Sequence, residues 1–228
     1  MKKLVYTTLH LFLLLGFIFS MGTAGAQSLK KLSSADIGNP ALKGETSFVK
    51  SGVDIKAGGE DIWMNSDQFR FVYKPFNGDF DIVARLESLG KSHLYAKAGL
   101  MAREDLTPGS RHLFFMAFPN NDKRNNNRSG YEFQYRLVTG KESKAIYPSL
   151  TDSVVQASYP VIYPNGWIRL KRTGNKFSAF TGTDGRKWKL YTEFTMEMPQ
   201  NLYLGMAVTG HSKSASTVAK FRNFKNRK

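Results

Sequence analysis

Between Gly78 and Glu104 the apolar side chains recur at every second position: Phe80, Ile82, Ala84 and Leu86, then Ala96, Ala98, Leu100 and Ala102. A period of two puts one set of side chains on one face of an extended strand. It excludes an amphipathic helix, whose apolar stripe returns about every 3.6 residues. The same alternation appears in Phe69-Phe71-Tyr73, Tyr131-Phe133-Tyr135, Ile168-Leu170, Phe177-Ala179 and Leu202-Leu204-Met206-Val208. Asn77-Gly78, Asn165-Gly166, Gly174-Asn175 and Asp184-Gly185 lie between these runs and suit the positive φ angles of tight hairpins. Many short strands at this spacing predict an all-β fold, an antiparallel β-sandwich or barrel.

The chain opens with Lys2 and Lys3, an apolar run from Leu9 to Phe19, and the small residues Ala24-Gly25-Ala26. This is the pattern of a cleavable secretory signal peptide over residues 1–26, and it predicts a secreted or periplasmic protein beginning at Gln27. The apolar run is too short to span a bilayer, and no transmembrane segment is expected in the mature chain. Residues 27–228 suit one β-sandwich domain. The full chain has seventeen Phe, ten Tyr and three Trp; all but Tyr6, Phe12, Phe17 and Phe19 lie in this domain and supply a core without disulfides, and there is no cysteine to form them.

Losing the signal removes two lysines and no acid, which leaves a basic protein of formal charge +13. Such an excess attracts acidic partners at long range, in a manner that salt weakens. An anionic polysaccharide, lipopolysaccharide or anionic surface fits an exported protein. Nucleic acid is not expected, since no recognition module is present. The charge is equally consistent with a role in solubility alone. Two segments lack strand periodicity and read as loops, 120–128, rich in Asn and basic residues, and 141–158, rich in Ser and Thr. In the basic tail, Phe221 and Phe224 are expected to close the last strand.

Catalytic patterns are sparse. Glycoside hydrolysis usually needs two carboxylates facing a sugar bond. Only Asp79 and Asp81 alternate along one strand face, beside a turn where acids commonly mark the solvated entrance to a strand. The Glu-x-Asp-x-x-Glu strand of laminarinase-like hydrolases is missing, as is the Gln-Ile-His strand of jelly-roll polysaccharide lyases. Gly210-His211-Ser212-Lys213-Ser214 lacks the final glycine of a nucleophile elbow and reads as a surface turn. His93, His112 and His211 are far apart in sequence without ligand spacing, so neither a metal nor a cofactor is expected.

Many short motifs in one order resemble the DUF1349 family. They include Asp36-Ile37-Gly38, Gly52-Val53-Asp54-Ile55, Asp61-Ile62-Trp63, Asp67-Gln68-Phe69, Gly78-Asp79-Phe80, Lys97-Ala98-Gly99-Leu100-Met101, Trp167-Ile168-Arg169-Leu170 and Leu204-Gly205-Met206-Ala207-Val208. The resemblance implies a concanavalin A-like jelly roll and a role beside carbohydrate-active enzymes. It brings no agreed catalytic residues. Its central-strand Gln and Arg are matched by Gln134 and Arg136, which places a ligand groove there.

Strand faces outside the core carry the remaining signal. Tyr95, Lys97 and Arg103 alternate against Ala96 to Ala102, Gln134 and Arg136 against Tyr131 to Tyr135, and Trp167 and Arg169 against Ile168 and Leu170. Aromatic faces stack on sugar rings, and Arg or Gln hydrogen-bonds hydroxyls and carboxylates. Ordinary cross-strand pairs on a polar outer face would look the same. The expected carbohydrate-binding set is Tyr95, Lys97, Arg103, His112, Gln134, Arg136, Trp167 and Arg169. The expected function is non-catalytic, lectin-like binding of polysaccharides with acidic groups. The alternatives are a glycoside hydrolase or lyase with an unrecognised site, and a protein-interaction module of the cell envelope.

Overall fold

The computed structural model describes residues 32–124, 129–148 and 159–227. The expected signal peptide, and parts of the two expected loops, lie outside them. In chain order the strands are β1 (Ser33–Ile37), β2 (Glu45–Val49), β3 (Gly52–Gly59), β4 (Ile62–Trp63), β5 (Ser66–Asp67), β6 (Phe69–Asn77), β7 (Asp81–Leu89) and β8 (Lys97–Arg103). They continue with β9 (His112–Ala117), β10 (Tyr131–Arg136), β11 (Lys144–Ile146), β12 (Gly166–Thr173), β13 (Lys176–Gly182), β14 (Lys189–Thr195), β15 (Asn201–Thr209) and β16 (Ser212–Asn226). One seven-stranded sheet has the order β1-β6-β15-β8-β9-β10-β11 and the other β14-β13-β12-β7-β16-β3-β2, while β4 and β5 form a separate hairpin. Every strand pairing is antiparallel. The two packed sheets make the fold an all-β antiparallel sandwich. No helix among the described residues is long and apolar enough to cross a membrane.

The alternating residues explain the packing. Ala98, Leu100 and Ala102 on β8, Leu204, Met206 and Val208 on β15, and Phe133 on β10 point into the space between the sheets. There they meet Ile82, Ala84 and Leu86 on β7, Ile168 and Leu170 on β12, and Val53 and Ile55 on β3. The first sheet is also covered on its outer face, where Ile62, Phe69, Phe71, Met101, Phe114 and Met116 form a second apolar cluster. A strand covered on both sides loses its polar alternation. That is why β9, whose six residues are all buried, carries no sequence pattern of period two.

Phe221 and Phe224 are buried in the core as part of β16. Two residues lie between them, not one, because the register shifts between Arg222 and Lys225 and Asn223 takes a left-handed φ of 57°. This bulge swaps the face on which each later residue falls. Gly78, Gly174 and Gly185 have positive φ as turns require, whereas Asn165-Gly166 does not: Gly166 opens β12, after a cis bond between Tyr163 and Pro164. The segment expected to be loop from Lys141 contains β11, which pairs with β10 at the sheet edge.

The glycines of the Lys-Ala-Gly-Leu-Met and Leu-Gly-Met runs are required by close backbone approach. A Cβ on Gly99 would lie 2.1 Å from the Phe115 carbonyl oxygen, and one on Gly205 would lie 2.0 Å from that of Val72. Both obstacles are main chain of an adjacent strand and cannot rotate away. Gly205→Ala is expected to destabilise the protein by about 1–3 kcal/mol through this overpacking, measured as a lower midpoint in denaturant.

Candidate functional site

Asp67, at the end of the β4–β5 hairpin, is fully buried on the outer face of the first sheet. Its two oxygens accept a bidentate pair from Arg136, at 2.7 and 2.8 Å. Arg103 Nη1 lies 3.4 Å from Asp67 Oδ2, and His112 Nδ1 lies 3.7 Å from the same oxygen. Arg136 also donates to the carbonyl oxygens of Lys141, Ser110, Trp63 and Met64, so all five of its N–H groups have acceptors. Arg103 donates to the carbonyl oxygens of Asp105 and Thr107 and lies over the Phe69 ring.

Arg103, His112 and Arg136 were expected to face a ligand, and the structure places all three beneath the hairpin without solvent access. Their face of the strands is the expected one, but Asp67 seals it. Burial pushes the His112 imidazole down to about 4; the Asp67 charge opposes this and the Arg103 and Arg136 charges add to it. Nδ1 of His112 lies 3.3 Å from the Ser110 carbonyl oxygen and 3.4 Å from Arg136 Nη1.

Trp167 and Arg169 lie on the other sheet, on the outward face of β12. Arg169 makes a bidentate pair with Asp81, at 2.6 and 2.7 Å, and lies over the Phe180 ring. Trp167 packs against the β13–β14 turn, so closely that a Cβ on Gly185 would meet its ring at 2.8 Å. Asp79 accepts from the Gly174 amide. The Asp79 and Asp81 pair is therefore engaged in a turn and in an ion pair.

Beside the sealed cluster the outer face opens into a cavity of about 350 Å³, within the range of small-molecule pockets. Glu132 and Gln134 of β10 form one wall, and Gln134 Nε2 donates to Glu132 Oε1 at 2.6 Å. The cross-strand neighbours of Gln134 are Phe114 and the small Ala145, which leaves room above it. Asp61 and Trp63 reach in from the hairpin region, and Tyr147 follows β11. Lys97 opens β8, while Tyr95 sits in the turn ahead of it and not on the strand. Of the expected set, the cavity brings together Tyr95, Lys97 and Gln134.

Lys97 is almost fully buried, donates to Asp61 Oδ1 at 2.5 Å and to the Ile62 carbonyl oxygen at 3.3 Å, and lies over the Trp63 ring. His211 Nδ1 is 3.2 Å from the other Asp61 oxygen. Burial raises the Asp61 carboxyl, but the Lys97 charge and the contacts with His211 and Lys97 outweigh it and bring the group down to about 2. His93 and His211, far apart in sequence, stack with ring centroids 4.4 Å apart, and Tyr95 packs against His211. Arg124, from the expected loop 120–128, is buried against the Phe118 ring and donates to the carbonyl oxygens of Leu94, Asp122 and Asn120. Among the described residues, no group of three His, Cys, Asp or Glu could hold a metal ion.

Strand alternation alone could not find Asp61, Trp63, Arg124, Tyr147 and His211, because each lies in a turn, a loop or a two-residue strand. The run Asp61-Ile62-Trp63 was the available signal, with an acid and an aromatic set between two strands.

No family model matches this chain, and no curated protein matches it in sequence. The DUF1349 likeness thus rests on its motifs. Among solved structures, a functionally unknown protein from Saccharomyces cerevisiae aligns with TM-score 0.62 and 14% identity over 87% of this chain and 96% of that one. The VIP36 exoplasmic/lumenal domain in its Ca2+/Man3GlcNAc-bound form gives TM-score 0.48 and 11% identity, covering 85% and 83%. LamA from Z. galactanivorans in complex with laminaritriose and laminaritetraose gives 0.49 and 9%, covering 86% and 91%. At 14% identity the first of these shares the fold alone.

Arg136→Met is expected to destabilise the protein by about 3–5 kcal/mol, because it strands the Asp67 carboxylate in the interior; the midpoint in denaturant measures it. His112 is neutral in the folded state down to about pH 4, while the unfolded chain takes up its proton near pH 6.5. Its contribution is present above pH 6.5 and is lost as pH falls toward 4. Melting temperatures across that interval should fall more steeply in the wild type than in His112→Asn, and equal slopes would show that His112 is not held neutral.

Proposed function

We propose that this chain is an exported, non-catalytic carbohydrate-binding protein whose cavity beside the β4–β5 hairpin takes the ligand. The observation that carries the reading is the composition of the cavity wall. Trp63, Tyr95 and Tyr147 stand around Asp61, Glu132 and Gln134 in one cavity. Aromatic faces meet the C–H faces of sugar rings, and carboxylate and amide oxygens accept from hydroxyls. Both kinds of group around one cavity are what binding a sugar requires.

A binding role suits Asp61 better than hydrolysis does. Its carboxyl, held near 2, stays ionised at neutral pH and has no proton to give to a leaving group. The residues that hold it, Lys97 and His211, also fix its position. Preorganisation of this kind favours affinity.

The signal peptide supports export, and the basic surface adds a second, less specific attraction. Thirty-three Lys and Arg against eighteen Asp and Glu over the full chain draw acidic polymers toward the protein from a distance. This is the origin we assign to a preference for glycans with acidic groups, and it acts over the exterior.

Retention of the mature protein on a panel of immobilised neutral and anionic polysaccharides tests the reading. Binding to at least one member is expected, with a loss of roughly tenfold or more in affinity for Trp63→Ala, a change of about 1.4 kcal/mol. No retention on any polysaccharide would refute it. Retention through the basic exterior is expected to vanish in high salt.

A further inference from the structure

We infer that a second cavity, where the sandwich ends between segment 159–162 and the turn joining β13 to β14, binds an anionic sugar ring, with the Lys187 ammonium meeting its acidic group and the Tyr131 hydroxyl donating to one of its oxygens. This rests on the carbohydrate reading above and adds to it a site for the acidic glycans that the exterior attracts.

The two cavities share one strand. Successive residues of β10 point to opposite faces: Glu132 lines the cavity beside the hairpin, while Tyr131 turns inward, packs in the core and lines the second cavity. That second cavity measures about 340 Å³, again within the range of small-molecule pockets. Tyr131 is 2% exposed, and its hydrogen bonds with side chains run through its main chain: the amide donates to Ser129 Oγ and the carbonyl oxygen accepts from Tyr191 Oη. Its hydroxyl meets no polar partner among the described residues and, unlike the nearby Trp188 Nε1, is not sealed from solvent. Burial pushes the phenol up, so it keeps its proton at neutral pH and can donate. A buried donor that the fold leaves unpaired is satisfied by a ligand oxygen.

The walls supply the other contacts. Trp188 packs over Gly182, where a Cβ would meet its ring at 3.3 Å, and Trp167 braces it edge-on with centroids 6.4 Å apart. A ring fixed in this way suits the C–H face of a sugar. Lys187 and Lys189 line the same cavity, and no Asp or Glu among the described residues does. Lys189 Nζ lies 4.0 Å from the centre of the Tyr159 ring. Lys187 is exposed; Asp184, in the same turn, accepts from its main-chain amide at 2.8 Å, and that bond lowers the Asp184 carboxyl more than the ammonium charge does. The cavity beside the hairpin holds acids and cations together, whereas this one holds cations alone. An acidic group entering it is attracted and meets no wall carboxylate to repel it.

Titration calorimetry of the mature protein with uronic acid and sulfated trisaccharides, and with the matching neutral hexose trisaccharide, tests the inference at about 50 mM and about 500 mM NaCl. At the lower salt at least one acidic trisaccharide should bind more tightly than the neutral one. Lys187→Gln should weaken that acidic binding by about fivefold, and the higher salt should bring the wild type close to the variant. Tyr131→Phe loses no protein hydrogen bond, so it should melt no lower than the wild type and still bind the acidic trisaccharide about fivefold more weakly. Trp63→Ala should leave the acidic trisaccharide's affinity unchanged. Acidic binding that falls in Trp63→Ala and is unchanged in Lys187→Gln and Tyr131→Phe would overturn the inference and leave the carbohydrate reading intact. Neutral binding as tight as acidic binding, with Lys187→Gln changing neither, would also overturn it. If no trisaccharide and no polysaccharide binds, both readings fall.

Discussion

The bidentate pair between Asp67 and Arg136 holds the outer face of the first sheet together. A buried ion pair repays its desolvation only when its remaining polar atoms are satisfied, and here the five N–H groups of Arg136 reach Asp67 and main-chain carbonyls from three separate segments. Main-chain bonds follow the same path: Asp67 N donates to Pro108, and Ser143 N donates to Met64. A hairpin of two-residue strands has too little ladder to be stable alone. Clamped to β10 and to the turns around Pro108 and Ser143, it becomes a fixed wall. Asp61 and Trp63 owe their places at the cavity to that clamp.

Charge is organised differently on the two outer faces. On the second sheet, Asp81 pairs with Arg169, Arg222 bridges Asp54 and Glu87, and Arg85 meets Glu87, giving a ladder of cross-strand pairs. Partly exposed pairs of this kind add little stability each. On the outer face of the first sheet Arg103 and Arg136 are sealed around Asp67, and Lys97 is buried against Asp61. The positive excess therefore belongs to the exterior.

Much of the architecture was legible in the chain because one face of most strands packs on the core. Phe80, Ile82, Ala84 and Leu86 could alternate only because Asp81, Arg85 and Glu87 face away from it. The pattern failed where that condition failed. β9 is covered on both sides, β16 changes face at the Asn223 bulge, and β4 and β5 are too short to show a period. The same physics explains the mixed placement of the eight expected site residues. Alternation reports which residues leave the core, but not whether another element covers them.

Sequence alone was enough to specify an all-β antiparallel fold, because burial on one face forces a period of two and hairpin turns demand glycine at positive φ. It also supplied the basic character, which depends on composition alone. Which polar face is sealed and which remains open was settled in three dimensions. Asp67 lies 69 residues from Arg136 and 36 from Arg103, and no local pattern links them. Asp61, Lys97, Gln134 and His211 meet at one cavity because strands distant in the chain are neighbours in the sheet, and pairing between strands obeys geometry that sequence spacing does not record.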